Sequence, residues 1–285
     1  MFNCSYELAQ GDSLDLTMML PGDIDLTTSV AVWRRNMTEY SHSWMTNILP
    51  NFFDPVLYLL GMGIGLGMFM GKDIHGLSYI EYIAPGLMAA SAMQGASFEA
   101  TYNMFIKMTF SKLYDAYLAT PVQIQDIALG ELMWAVSRAI LYGVAFFVVL
   151  IGFTVFGDYR IITSPYAVLA PLVIILTGIM FALIGQIFTA SIKNINYYGF
   201  YYTLWLTPLF LFSGIFFPLD APHIAGGYGE TIAWFTPLFH SVRLMRGISQ
   251  GPLELTHLYS FIWMITVSGC LFWAVPRRMR KTMVQ

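Results

Sequence analysis

Residues 128–156 read ALGELMWAVSRAILYGVAFFVVLIGFTVF, with Glu131 and Arg138 as their only charges, both in the first half. At about 1.5 Å of rise per residue the stretch outruns the ~30 Å hydrocarbon core of a bilayer. In lipid a backbone has no water to satisfy it, so such a run is stable there only as a helix. The whole chain supports this reading. Of its 285 residues, 57% are hydrophobic and only 11% charged, where a soluble domain carries about 25%. The mean hydropathy is +0.62. This composition excludes a soluble globular enzyme, a disordered chain and a disulfide scaffold, and predicts an all-α, multi-pass membrane protein. With 14 Lys and Arg against 17 Asp and Glu, the chain has no basic signature for nucleic acid.

Five further spans follow by the same criterion: Ile48 to Met70, Tyr79 to Tyr102, Pro165 to Ala190, Phe200 to Phe217 and His257 to Val275. Together with 128–156 they predict six transmembrane helices. The first contains Gly61, Gly63, Gly65 and Gly67. Their overlapping GxxxG spacings let two helix backbones approach closely, either across a dimer face or within the chain. Residues 1–27 read as a polar tail, with no secretory signal because Asp12, Asp15, Asp23 and Asp25 fall in it. Residues 28–46 read as an amphipathic helix, with Val30, Trp33, Met37, Tyr40 and Trp44 on one face and Arg34, Arg35 and Glu39 on the other. That pattern suits a helix in the membrane interface, or one packed on the protein. Residues 47–285 form the membrane domain.

Two connections carry structure of their own. Between the second and third spans, Ile106, Phe110, Leu113 and Tyr117 make one helical face opposed by Lys107, Ser111 and Asp115. A second short helix is expected to restart at Thr120-Pro121-Val122-Gln123, with Thr120 as cap, Pro121 in the first position and Gln123 reaching back. Before the last span, Thr231 to Ile248 is apolar but broken by Pro237. Each half is too short to cross, so the segment is a pair of re-entrant half-helices or a surface loop.

Counting Lys and Arg by side gives nine on the side of the N-terminus and four on the other. By the positive-inside rule both termini are then cytoplasmic, and the sequons at Asn3 and Asn36 are unused. The ionisable residues inside spans are Glu99, Glu131 and Arg138. Glu131 and Arg138 lie two turns apart on one face, which points to pairing or snorkelling more than to a proton path. Gly71-Lys72 is no phosphate loop, because Leu66 and Asp73 stand where glycine and Ser or Thr are required. The five histidines make no HExxH, and Cys4 and Cys270 make no CxxC, so no metal or cofactor is expected in this chain.

Several stretches resemble a known family. They are 81–99 (EYIAPGLMAASAMQGASFE), Tyr114-Asp115-Ala116, Ala119-Thr120-Pro121, Gly130 to Trp134, Leu211 to Leu219 and Pro237 to Arg246. In this order they are similar to ABC-2 type transporter permeases, most of all the nodulation protein J branch, over about Val30 to Arg280. The resemblance implies a homodimeric exporter subunit of the bacterial inner membrane. Each copy would engage one separate ABC ATPase subunit, which binds ATP and Mg. It also implies a coupling helix between spans two and three. Carried over, its positions are Lys112, Tyr114, Asp115, Thr120, Pro121 and Gln123. The 28–46 helix would be the connecting helix, and the glycines of the first span a dimer face. Nodulation-type relatives export lipo-chitin oligosaccharides, others polysaccharides, lipids or drugs, so the implied substrate is an amphiphile. Phe239 departs from the family pattern, which has threonine before the histidine. A gradient-driven secondary transporter is the competing class. It would require midplane ionisable groups and two similar halves. A membrane-embedded transferase is the third.

Overall fold

A computed structural model describes residues 24–42, 53, 55–70, 74, 76–156, 159–220 and 228–283. No strand occurs among them beyond a single antiparallel bridge between Ile74 and Leu77. The helices are α1 (Leu26–His42), α2 (Pro55–Phe69), α3 (Tyr79–Phe98), α4 (Leu113–Leu118), α5 (Ile124–Phe156), α6 (Ala170–Thr189), α7 (residues 197–212), α8 (Gly229–Ala233), α9 (Pro237–Gln250) and α10 (Leu255–Met283). Of these, α5, α10 and the helix Pro165–Thr189 that contains α6 are long and apolar enough to cross a membrane.

The bundle is built around α3. Eighteen of its twenty residues are buried, between α2, α5, α6 and α9. A helix encased by protein need not be apolar on every side. That explains how α3 accommodates Glu81, Ser91 and Ser97 and is less hydrophobic than α5 and α6. Its start is set by a capping box in which Ser78 N–H donates to Glu81 (2.8 Å). The other Glu81 oxygen accepts from Arg160 N–H (2.5 Å), which ties the α5–α6 connection to this end. Past Phe98 the helix continues in π-wound turns, Glu99–Asn103 and Ile106–Phe110.

Close helix contacts among α3, α5 and α6 use single small residues. A Cβ on Gly95 would lie 3.1 Å from Arg138 O, one on Gly143 2.7 Å from Ile174, and one on Gly178 2.6 Å from Ala139 Cβ. The glycines of α2 divide. Gly63 lies against Ile80 and Gly67 against Tyr79 of α3, whereas Gly61 meets nothing within 4 Å and Gly65 only its own helix's carbonyl.

Several sequence expectations are corrected. The buried face of α1 is Ser29, Val32 and Asn36, while Val30 and Met37 are exposed. The helix packs on α5: Trp33 Nε1–H donates to Ser137 Oγ (2.9 Å), and Val32 fills the space over Gly130. Tyr40 of the same stripe packs on Trp134 (5.5 Å), so the stripe is turned only in part toward α5. Trp44 lies outside the described residues, as do residues 1–23 of the tail and the start of the first span. Thr120 does not cap a second short helix. Its hydroxyl donates back to Tyr117 O (2.6 Å) and closes α4, and the next helix is α5 itself, beginning at Ile124. There Asp126 plays the capping part, accepting from Gln123 N–H (3.1 Å) and Asp25 N–H (2.9 Å). The fifth helix stops at Phe212, and Gly214 turns the chain with φ 78°. The broken segment forms two helices, α8 and α9, with Pro237 in the first turn of the second.

Candidate functional site

At the Glu99 end of α3 the three intramembrane charges predicted from sequence converge with a fourth, Lys107. Lys107 Nζ lies 3.2 Å from Glu99 Oε1 and 2.9 Å from Glu131 Oε2. Arg138 Nε stands 3.7 Å from Glu99 Oε2, which also accepts from Asn103 Nδ2 (2.8 Å). Glu131 and Arg138 therefore do not pair with each other, as their shared helix face led one to expect. Each has an opposite charge from the chain that leaves α3. All four residues are buried. Two carboxylates and two cations make the group neutral, which is how charge persists in a low-dielectric interior. The Arg138 guanidinium lies over the Tyr40 ring of α1 (4.1 Å) and donates to Tyr142 Oη (2.6 Å). Sequence reading placed Lys107 on a solvent-facing helix side. The missed signal is its spacing: Glu99, Asn103 and Lys107 recur every four residues, about one turn apart on one face.

The turn below this cluster separates the six predicted coupling positions. Lys112, Asp115, Thr120, Pro121 and Gln123 are exposed. Tyr114 is fully buried and cannot contact another protein. Its phenol faces Glu131, and burial together with that carboxylate pushes it well above the ordinary phenol value. Among the described residues Lys112 is the one non-glycine with positive φ (47°). It reverses the chain from the π-wound segment into α4, a left-handed conformation costly for a residue with a Cβ.

At the opposite end of α3, about 27 Å away by helix rise, the side chains of α9 converge. Arg246 donates to Gly214 O (2.9 Å) and Tyr82 O (3.3 Å) and lies over the Tyr82 ring (4.0 Å). Arg243 pairs with Glu230 at 3.0 Å. These residues line a cavity of about 310 Å³ together with Ser213, Asp220 and Val242. His240 is a satisfied core residue between Ser260 Oγ (3.1 Å) and Trp234 O (2.8 Å), stacked on Trp263 (4.2 Å).

The family model for ABC-2 type transporters matches residues 28–249, from α1 to the last turn of α9. The chain belongs to the ABC-2 type transporter family. Nodulation protein J of Rhizobium leguminosarum bv. trifolii is 38% identical over 222 residues, 78% of this chain and 81% of that protein. Nodulation protein J of Neorhizobium galegae is 32% identical over 249 residues, 87% and 88% of the two chains. The inner membrane transport permease YadH of Escherichia coli is 24% identical over 230 residues, 79% and 86%. As an ABC-2 protein the chain is a multi-pass membrane subunit of an ABC transporter, and the family implies an ABC ATPase subunit as partner. In this ABC-2 chain the exposed 112–123 turn is the candidate docking surface for that partnership, and the buried charge cluster lies behind it.

Proposed function

We propose that this chain is the permease subunit of an ATP-driven exporter, acting as a homodimer with two copies of an ABC ATPase subunit in the bacterial inner membrane. The observation that carries the reading is the 112–123 turn. Five exposed positions there, including Asp115 and Pro121, present a docking surface, while Tyr114 anchors it to the membrane core. ATP and Mg belong to the partner, because the sequence offers no phosphate loop.

Six crossings follow if α2 with its upstream residues, the encased α3 and α7 join the three long apolar helices. Both termini then lie in the cytoplasm, α1 is the connecting helix, and α8 with α9 forms the re-entrant pair. The dimer face is assigned to α2 and α7. Tyr58 of α2 packs on Phe210 of α7 with ring centroids 5.2 Å apart, so the two helices share one side. In these two helices Leu57, Leu60, Leu204, Trp205 and Phe212 are exposed. Gly61 and Gly65 face open space there, whereas Gly63 and Gly67 are used within the chain. An amphiphile is the preferred substrate, carried outward as the pair switches between two discrete packings.

The test is transport of a fluorescent lipo-chitin oligosaccharide into inverted membrane vesicles. ATP-dependent uptake that vanadate stops and a protonophore leaves intact is the expected result. Uptake abolished by the protonophore with ATP still present would replace this reading by the gradient-driven transporter.

A further inference from the structure

We propose that Glu131 is the point at which movement of the 112–123 turn enters α5, and that Lys107, gripping it from the segment before the turn, is its positioning residue. The inference rests on the exporter reading above and adds where force is transmitted.

The geometry is asymmetric in an informative way. Glu99 has three partners, Lys107, Asn103 and Arg138. Without Lys107 it would still be neutralised. Glu131 has one cation, Lys107 at 2.9 Å, and its Oε1 has no hydrogen-bond partner. Drawing Lys107 away would leave a buried carboxylate uncompensated, which is strongly unfavourable. Glu131 must therefore move with Lys107. The chain then reverses at Lys112 and reaches Tyr114, which is buried with no hydrogen-bond partner for its hydroxyl. Lys107 is thus the grip on Glu131. Displacement of the turn that draws on the segment before it is passed to α5 through this ion pair. From Ile124 to Phe156 the receiving helix is 33 residues long, a lever of about 50 Å. Just past its far end Arg160 N–H is fixed to Glu81 at the start of α3.

The experiment uses the full permease–ATPase complex in lipid nanodiscs with Cys4 and Cys270 changed to serine. Two reporters are introduced separately: Ala116→Cys on the turn and Leu253→Cys beyond α9 at the opposite end. Maleimide labelling rates are compared with ADP and with ATP plus vanadate. The key variant, Lys107→Met with Glu131→Gln, removes one charge of each sign and leaves the Glu99–Arg138 pair neutral. It should keep ATPase binding and the nucleotide response at residue 116, while the response at 253 falls about tenfold, the order of an inter-site coupling. Lys107→Arg should restore it. Glu131→Gln alone, in which Lys107 keeps Glu99, should lose the same response and serves if the double variant does not assemble. An undiminished response at 253 overturns the proposal. So does loss of ATPase binding, which would make the cluster a support for the turn's fold only. A wild-type complex with no nucleotide response at 116 would instead overturn the exporter reading itself.

Discussion

Changing glycine to alanine should have opposite effects at two positions in the packed helices. At Gly178 of α6 the new Cβ would lie 2.6 Å from Ala139 Cβ of α5, with Val136 Cα at 3.6 Å. Carbon atoms pack best at about 3.5–4.0 Å, so the two helices must part by roughly 1 Å. Ala139 is fully buried and has no side-chain torsion with which to yield. Overpacking of this kind costs about 1–3 kcal/mol, against a gain of about 0.5–1 kcal/mol from replacing glycine in a helix. The net effect of Gly178→Ala is a destabilisation of up to about 2.5 kcal/mol. At Gly152, in α5, a Cβ meets nothing within 4 Å. Only the helix term remains there, so Gly152→Ala should stabilise by up to about 1 kcal/mol. Unfolding of both variants in mixed micelles of increasing SDS fraction, followed by tryptophan fluorescence, reads the difference directly. Midpoints that shift in the same direction would refute the close α5–α6 contact.

Three further outcomes follow. Gly61→Leu should not lower the unfolding midpoint of the isolated chain but should reduce cross-linked dimer in membranes, because among the described residues no other part of the chain lies within 4 Å of a Cβ placed there. Asp126→Ala removes the acceptor for both Asp25 N–H and Gln123 N–H. It should weaken the α1 attachment by about 1 kcal/mol, the size of a lost helix cap, seen as faster tryptic cleavage at Arg34 and Arg35. Trp33→Phe deletes the 2.9 Å hydrogen bond to Ser137 and should have an effect of the same sign and similar size, about 0.5–1.5 kcal/mol.

Helices facing outward were the legible part of the fold. Residues 128–156, 165–190 and 257–275 could be bounded because their exposed sides must be continuously apolar, and the structure places helices over all three. The break at Pro237 was equally readable, since proline fits the first turn of a helix and not its interior. Contacts were less legible than elements. In α1 the buried face is rotated from the apolar stripe: Trp33 and Tyr40 meet α5 while Val30 and Met37 are exposed, because α5 offers Gly130 to Val32 and Ser137 to Trp33. The glycine series of α2 drew attention by its density, but the tightest approaches rest on isolated residues such as Gly143 and Gly178. A single glycine has no pattern to detect. At the charge cluster, Glu99, Glu131 and Arg138 stood out by their location, whereas Lys107 read as solvated because its neighbours Ser111 and Asp115 are polar. It is buried because the chain reverses at Lys112 and returns as α5, which carries Glu131.

The most direct measurement is purification of the tagged chain from its native membrane in mild detergent, with ATPase assay and mass analysis of the eluate. The account predicts co-purification of an ABC ATPase in equal copy number, lost when Asp115 and Pro121 are changed together and kept when the equally exposed Leu253 is changed. A chain that elutes active in transport with no ATPase bound would contradict it.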